Sequence, residues 1–243
     1  MKKLLAFMML LSVYNVCRSQ QNTTNRKSQW IDLAATIGSS QGTAALSYVH
    51  TWKVGKRRKL EAGIGARLTS MFGEKVDYIT APAKLARTST TPFLIVFAGQ
   101  NTKNFDTLTV QRPFTNSLNL TLDFGYNFNG KWSAGFNIDL IGFTFGRKSA
   151  AILTSNGITR TEPTAKPATF NALLTGDLDY GNLNSEFFLK YKLNNRWSVR
   201  GVYQFLFTEY KTTTIKQTAP DGTMVDRFRS KSNNFGAAVS YNF

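Results

Sequence analysis

The chain has 243 residues, of which 42% are hydrophobic and 18% charged, and its formal net charge at pH 7 is +16. After residue 19 the sequence has no apolar run of about 18 residues, which excludes a helical membrane protein. The basic excess would suit nucleic acid, but no basic helix or nucleic-acid motif accompanies it; contact with lipid phosphates is favoured, and ordinary solvated charge is the alternative.

The N-terminus has the composition of an export signal. Met1, Lys2 and Lys3 form a basic start, residues 4–16 are mostly apolar, and a polar region opens at Ser19. This pattern predicts a Sec signal peptide over residues 1–19, too short to cross a membrane as a helix. Lipidation of Cys17 is the alternative, but the residue before it is not small. Cleavage near Ser19 removes this cysteine and lowers the formal charge from +16 to +13, because Lys2, Lys3 and Arg18 are lost.

The rest of the chain alternates apolar and polar residues, the pattern of strands with one apolar and one polar face. Eight segments carry this alternation, at residues 30–38, 43–54, 60–72, 118–128, from 132 onward, 182–193, 197–207 and 233–243. Between the fourth and fifth segments, Asn129-Gly130 is typical of a type I′ hairpin turn. The phase of the fifth segment slips near Ile141-Gly142, which predicts a β-bulge there.

Two of the hairpins repeat one pattern, in which an apolar residue, a turn, a base, a tryptophan and a serine follow one another. The copies are residues 128–133 and 193–198. Tryptophan and tyrosine concentrate at membrane–water interfaces, where their rings lie at the level of the headgroups. We therefore predict an interfacial aromatic belt formed by Tyr48, Trp52, Trp132 and Trp197.

The last strand ends on an aromatic residue. Phe235, Ala237, Val239, Tyr241 and Phe243 share one face, and small or polar residues share the other. This ending resembles the last strand of bacterial outer-membrane barrels. Together with the signal, the alternation and the loop pattern, it makes the whole mature chain similar to small OmpA/OmpX-type barrels of the Bacteroidota outer-membrane β-barrel family. The resemblance implies that Val239, Tyr241 and Phe243 form an insertion signal for the barrel-assembly machinery.

The predicted fold class is all-β: a closed antiparallel transmembrane β-barrel of eight strands in an up-and-down meander, over residues 30–243. Outer-membrane barrels keep short turns in the periplasm and long loops outside the cell. Connections at 55–59, 129–131 and 194–196 are short, and those at about 73–115, 146–180 and 210–230 are long. We therefore expect a cell outer-membrane protein with extracellular long loops, and with both termini and the segment 20–29 in the periplasm.

The inward faces of the predicted strands carry five acids and five bases. These residues are Asp32, Lys53, Glu61, Arg67, Asp123, Asp139, Glu186, Lys190, Lys192 and Arg200. An eight-stranded barrel is only wide enough for side chains to fill it, and unpaired charges in such a lumen would be costly. The sequence therefore predicts a lumen plugged by ion pairs and hydrogen bonds, with a narrow or gated pore as the alternative.

The first long loop contains an apolar run without an obvious reason to face water. It includes Phe93, Leu94, Ile95, Val96 and Phe97. We expect this run to fold over the barrel mouth or to pair with residues 105–110 as a small hairpin. The alternatives are an edge that contacts a protein partner and a count of ten strands.

No motif points to an enzyme, a cofactor or a metal site. His50, the only histidine, is expected in the aromatic belt; the alternative is catalysis on lipid A, which the resemblance raises because some eight-stranded barrels use a His-Ser pair. The expected function is structural, adhesive or partner-docking through the extracellular loops. A narrow pore for small solutes is the second hypothesis. Expected partners are outer-membrane lipid and lipopolysaccharide, the barrel-assembly machinery and an unidentified protein at the loops, but not nucleic acid.

Overall fold

The computed structural model describes residues 27–91, 97–155, 157–174 and 176–243. The expected signal peptide and residues 20–26 lie outside these ranges. The described residues form fifteen strands and a short helix, α1 (Ala83–Ala86). The strands are β1 (Lys27–Ile37), β2 (Gln41–Val54), β3 (Leu60–Gly73), β4 (Lys75–Thr80), β5 (Thr107–Gln111), β6 (Phe114–Asn127), β7 (Trp132–Gly146), β8 (Ser149–Ser155), β9 (Ile158–Pro167), β10 (Phe170–Ala172), β11 (Leu183–Lys192), β12 (Trp197–Lys211), β13 (Gln217–Thr218), β14 (Met224–Val225) and β15 (Arg227–Asn242).

The expectation of an all-β, antiparallel fold is confirmed, because every strand pairing in the described residues is antiparallel. Each of the eight predicted segments has a counterpart, in β1, β2, β3, β6, β7, β11, β12 and β15. The other seven strands lie in the regions expected to be loops, where the sequence offered a hairpin strand at residues 105–110 that overlaps β5. β10, β13 and β14 have only two or three residues, too few for alternation to stand out in the sequence.

The eight strands that correspond to the prediction each pair with two neighbours. We call them the long-strand ring, since the order β1–β2–β3–β6–β7–β11–β12–β15 ends with β15 paired to β1. In the last of these pairings Ile31 lies opposite Tyr241. The turns at residues 55–59, 128–131 and 193–196 lie at one end of the ring together with the C-terminus, and we call it the turn end.

The two faces of the long-strand ring differ sharply in chemistry. The outward face exposes large apolar side chains from all eight strands, such as Leu33, Leu120 and Phe235. The inward face is buried, and many of its residues are charged or polar, as with Asp32, Arg67 and Gln204. Because side chains alternate along a strand, this division follows directly from the period-two pattern of the sequence.

The predicted slip in β7 is a β-bulge. Leu120 pairs with Ile141 while Thr121 pairs with Asp139, so Leu140 is the extra residue on β7. One inserted residue reverses the parity of everything that follows it. Asp139, which precedes the bulge, keeps the inward parity of Asn137 and is buried, whereas Phe143 and Phe145 beyond the bulge are exposed outside as a consequence of it.

The supposed loops build a second, smaller ring at the end opposite the turn end. β4, β5, β8 and β9 pair in that order, β4 pairs with β15, and β9 pairs with β12. Since β12 and β15 also pair with each other up to Lys211 and Arg227, six strand segments form a closed circuit. We call this unit the cap. The connections expected as long loops at about 73–115 and 146–180 thus contain paired strands.

The cap has an apolar interior to which each of its six strand segments contributes. The buried cluster consists of Val76, Tyr78, Leu108, Val110, Ala151, Leu153, Ala165, Tyr210 and Phe228. The Tyr210 hydroxyl lies 3.4 Å from the carbonyl oxygens of both Phe114 and Arg147, to which it can donate. The cap core is thus tied to the upper ends of β6 and β7. A dry core therefore lies at the end of a ring whose own interior is polar.

Candidate functional site

The centre of the long-strand ring holds a buried ionic network organised by Arg67. Its Nε donates to Asp139 Oδ1 at 3.0 Å, and its Nη1 donates to Asn137 Oδ1 at 2.7 Å. The same Nη1 lies 3.1 Å from Glu186 Oε1. Arg67 is only 1% exposed. β3, β7 and β11 therefore meet at one guanidinium group, whose planar donors match several acceptors at once.

A second guanidinium group extends this network across the ring. Arg200 Nε donates to Asp32 Oδ1 at 3.0 Å, and Ser240 Oγ donates to the same oxygen at 2.6 Å. Arg200 Nη2 also lies 3.5 Å from Glu186 Oε2. Because Glu186 contacts both Arg67 and Arg200, it is the carboxylate that joins the two halves. Five of the ten predicted lumen charges therefore form one network.

The other five predicted lumen charges line a small vestibule at the turn end. Lys53, Glu61, Asp123, Lys190 and Lys192 surround a cavity of about 40 Å³. Lys190 Nζ lies 4.1 Å from the centroid of the Trp30 ring, a cation–π distance. Two further cavities deeper in the ring measure about 10 Å³ each. Three small cavities thus lie among the inward-facing side chains of the ring.

Uncharged amide side chains also lie inside the ring, and no motif in the sequence marks them. Gln204 accepts from Thr36 at 2.6 Å and from Asn234 at 2.8 Å, and it donates to Thr43 at 3.1 Å. A comparable group, made of Asn119, Asn171, Asn182 and Asn184, lies near Asp139. The available signal was their inward parity, which they share with the charged residues.

The four predicted belt residues are exposed on the outside of the ring. They are Tyr48, Trp52, Trp132 and Trp197, of which Trp132 and Trp197 open β7 and β12 at the turn end. His50 lies among them: its ring is 4.5 Å from that of Trp52. Within the described residues, the His50 side chain hydrogen bonds only to Gln29. Its surroundings resemble a belt position more than an acid–base pair.

The predicted insertion signal lies on the outward face of β15. Val239 and Phe243 are exposed there, and the rings of Tyr241 and Phe243 are 5.3 Å apart. In the predicted loop contact, Phe97 is 87% exposed. Phe93, Leu94, Ile95 and Val96 lie outside the described residues. The sequence offered residues 105–110 as the partner of that run; of these, residues 107–110 pair with β4 and β8 as part of β5.

A second ionic group, absent from the sequence analysis, covers the outside of β12 and β15 near the cap. We call it the wall cluster, and it comprises Arg87, Asp177, Asp179, Glu209, Arg227, Arg229 and Lys231. Lys231 Nζ lies 2.5 Å from Asp177 Oδ1, and Arg227 Nε lies 2.6 Å from Glu209 Oε1. These contacts join three separate stretches of the chain. Because these residues are far apart in the sequence, no local pattern predicts that they form a cluster.

The pKa values of the two aspartates in the wall cluster are shifted in opposite directions. Burial raises the pKa of Asp177, but the hydrogen bonds and charges of Lys231 and Arg87 outweigh burial, so its pKa lies below the usual range. Burial also raises the pKa of Asp179, and there it prevails over the backbone N–H of Leu174 and the charge of Arg229. The partners of Asp177 therefore favour its charged form, whereas burial disfavours the charged form of Asp179.

A wide groove, which we call the rim groove, runs around the outside where β1, β2 and β3 end beside the cap. Its volume is about 760 Å³, and Lys75, Arg112 and Arg147 contribute three exposed cations to its lining. The lining also contains the exposed acid Glu74, and Ile37 and Phe72 expose apolar surface in it. Positive charge and apolar surface thus lie next to each other at the upper end of the long-strand ring.

Within the described ranges, no helix has the length and apolarity needed to cross a membrane. The same residues hold no cluster of three or more metal-ligating side chains.

The strand pairings define an all-β protein of antiparallel strands. No family model and no curated protein matches the chain. Among solved structures it is similar to Neisserial surface protein A, at 8% identity over 91% of this chain and 100% of that chain, with a TM-score of 0.39. It is also similar to Ail, the attachment invasion locus protein of Yersinia pestis, at 8% identity over 89% and 97% with a TM-score of 0.35. A third is the translocator domain of the autotransporter NalP from Neisseria meningitidis, at 8% identity over 98% and 96% with a TM-score of 0.25.

Proposed function

We propose that this protein is an integral outer-membrane β-barrel whose long-strand ring is a closed barrel of eight transmembrane strands. The observation that carries the proposal is the inverted distribution of side chains. Leu33 is 62% exposed and Ile37 is 73% exposed, whereas Asp139 and Glu186 are at most 1% exposed. Soluble proteins place such residues the other way round, and an apolar surface of this extent in water would drive association.

The strand pairing supports the same proposal. Lipid offers no hydrogen-bond partner, so a spanning sheet must satisfy its backbone groups between strands and leave no edge. Each long strand pairs with a neighbour on both sides. A tilted strand crosses a bilayer in about 9–11 residues. β2, β3 and β6 have 14 residues each, so they would extend beyond the bilayer toward the cap.

The orientation that we propose has the turn end and both termini in the periplasm, and the cap outside the cell. Short connections and the aromatic belt mark the turn end, and the elaborated connections all belong to the other end. Val239, Tyr241 and Phe243 would then be available to the barrel-assembly machinery during insertion. From the sequence resemblance we further propose that the protein belongs to the small OmpA/OmpX-type barrels of the Bacteroidota kind, with its signal peptide removed near Ser19.

Within this frame we propose a non-enzymatic role, in which the cap supports the envelope, adheres or docks a partner. The interior cavities, of about 40, 10 and 10 Å³, favour a plugged lumen over the alternative of a solute pore. Ion pairs such as those of Arg67 and Arg200 would have to break before a solute could pass. The protein therefore acts through its surface.

The rim groove supports lipid and lipopolysaccharide as partners. It would lie at the level of the outer-leaflet headgroups, with Ile37 and Phe72 toward the acyl chains and Lys75, Arg112 and Arg147 toward the phosphates. Basic side chains near a membrane surface are worth about 1 kcal/mol each against anionic lipid. Lipid phosphates would thus neutralise part of the positive net charge of the chain.

Single-channel conductance of the refolded mature protein tests the plugged barrel. Folding is verified first by a heat-dependent shift in gel mobility, which a closed barrel produces and an open sheet does not. We expect the shift and a silent bilayer. Stable, reproducible conductance steps would overturn the plugged lumen in favour of the pore. Absence of the heat-dependent shift would contradict the barrel itself.

A further inference from the structure

The cap is weakly closed along one seam, between β9 and β12. These strands pair only at Tyr210 with Pro167 and at Lys211 with Lys166. Beyond this point β9 continues back to Ile158 along β8, and the chain after β12 stays beside β9 through side-chain hydrogen bonds rather than strand pairing, as between Glu162 and Thr213. The end of the strand pairing leaves a groove of about 370 Å³ on the outside of the cap, which we call the seam groove.

The lining of the seam groove is dominated by lysines and hydroxyl groups. It consists of Lys166, Pro167, Thr169, Lys211, Thr212, Thr213, Lys216 and Asp226. Among the described residues, none of its three lysines has an acidic partner within salt-bridge distance. With Asp226 included, the lining carries a net charge of +2 from three bases and one acid. Its volume lies within the range of about 300–1,000 Å³ typical of small-ligand sites.

One buried hydroxyl makes this groove different from an ordinary basic surface. Thr212 lines the groove and is only 3% exposed, and its Oγ1 has no hydrogen-bond partner among the described residues. A buried polar group without a partner costs about 1–3 kcal/mol, so such groups normally have one. The neighbouring Thr213 hydroxyl is already engaged, since it donates to Glu162 at 2.9 Å. Thr212 therefore brings a buried hydroxyl without a partner to the wall of the seam groove.

We propose that the seam groove binds an acidic saccharide, with its sulfate or phosphate ester on the lysines and its hydroxyl groups on Thr212 and Asp226. The lysines supply charge-assisted hydrogen bonds to the ester oxygens. Asp226 would repel a bare anion but accepts hydrogen bonds from sugar hydroxyls. The lining has no aromatic face on which a nucleobase could stack, which disfavours single-stranded nucleic acid. The biological meaning of the site rests on the extracellular cap proposed above.

The test measures binding of fluorescent dextran sulfate to the refolded protein in neutral detergent micelles. A triple variant, Lys166→Gln with Lys211→Gln and Lys216→Gln, removes the groove lysines. The matched control, Lys56→Gln with Arg57→Gln and Lys59→Gln, removes three exposed charges from the turn at residues 55–59 instead. We expect the seam variant to lose at least tenfold in affinity and the turn variant to lose less than threefold. Equal losses would mean diffuse attraction to a basic protein and would overturn the site.

Two single variants separate a saccharide from a free anion. Thr212→Val keeps the shape of the side chain but lacks its hydroxyl, and Asp226→Ala removes the carboxylate. A saccharide should bind each variant several-fold more weakly. A simple anion should bind Asp226→Ala more tightly, because a repulsive charge is gone. If inorganic phosphate or a single-stranded oligonucleotide binds as tightly as dextran sulfate at equal anionic-group concentration, the saccharide assignment is wrong.

The measurement does not depend on membrane topology. Loss of seam binding with an intact heat-dependent gel shift would remove the ligand and leave the barrel proposal standing. Seam binding by a protein that lacks the gel shift would contradict the barrel proposal and leave the ligand proposal standing.

Discussion

At the scale of single residues, Glu186 is the carboxylate on which the lumen network depends. It is buried and lies within 3.5 Å of both Arg67 and Arg200. Glu186→Gln would leave two buried guanidinium groups short of negative charge, and uncompensated buried charge is strongly destabilising. We expect the free energy of unfolding in detergent, measured by guanidinium titration, to fall by about 3 kcal/mol.

The matched control for this variant is Glu61→Gln in the vestibule. Glu61 is only partly buried and accepts one hydrogen bond from Asn127 at 2.9 Å, which a glutamine can also accept. Its cost should stay below about 1 kcal/mol. Equal costs for the two variants would contradict the central position of Glu186.

The ion pairs of Asp177 with Lys231 and Arg87 predict that the attachment of the segment 172–182 to the ring depends on pH. Its pKa in the folded protein is lowered by Lys231 and Arg87, which outweigh burial. Its stabilisation is therefore present above the unfolded pKa, about 3.9, and is lost as pH falls through the lower, folded pKa. We expect hydrogen-exchange protection of this segment, corrected for intrinsic rates, to weaken below about pH 4.

In Asp177→Asn that protection should be weak at every pH. Asp179→Asn is the opposite control, because burial raises the pKa of Asp179. The contribution of Asp179 is present at low pH and is lost as pH rises through its folded pKa. Its replacement should therefore leave the acid-side weakening in place. Unchanged acid behaviour in Asp177→Asn would exclude Asp177 as its source.

At the scale of elements, Glu162 of β9 holds the seam of the cap. Its carboxylate accepts from the backbone N–H groups of Thr214 at 2.8 Å and Ile215 at 2.9 Å, and from the Thr213 hydroxyl. Burial raises the pKa of Glu162, but these hydrogen bonds outweigh burial and lower it. β9 and β12 share only two paired positions, so one side chain supplies much of what keeps them together.

Glu162→Ala should release the segment 212–216 from β9. A hydrogen bond to a charged group contributes about 1.5–3 kcal/mol to the stability of the folded protein. Local opening of that size predicts trypsin cleavage at Lys211 or Lys216 that is at least tenfold faster, measured by mass spectrometry. Asp77→Ala, which removes one exposed carboxylate bonded to Thr109, should leave the rate unchanged. Equal cleavage rates in the wild type and Glu162→Ala would contradict the role of Glu162.

At the scale of the whole molecule, the plugged lumen that we propose would have two chemically different barriers. One is the polar network of Arg67 and Arg200, and the other is the apolar core of the cap. Asp32→Ala combined with Arg200→Ala removes an ion pair without leaving either of its members alone. We expect the bilayer to remain silent for this double variant, because the cap core still covers the ring.

Adding Tyr78→Ala and Phe228→Ala should allow conductance, since both side chains are fully buried in the cap core. The heat-dependent gel shift verifies that each variant has folded. Conductance in the double variant alone would show that the cap does not seal the ring.

The local features of the fold were readable from the sequence. Leu118, Leu120 and Leu122 alternate with polar neighbours, and period-two alternation depends on nothing beyond the strand itself. The same parity identified the inward position of Asp32 and Arg200, and the phase slip at Ile141 marked the bulge of β7 to within a residue. The antiparallel, all-β class was therefore predictable.

By itself the sequence determined which face of each long strand is apolar, because that property is local. Only the tertiary structure decided which charges meet. Arg200 finds Asp32 at a separation of 168 residues, and Arg67 finds Asp139 at a separation of 72. It also decided that the expected loops form a cap, since short strands such as β4 and β5 are stabilised by neighbours from elsewhere in the chain. The wall cluster and the seam groove were invisible for the same reason: each joins segments that are brought together only when the sheet closes.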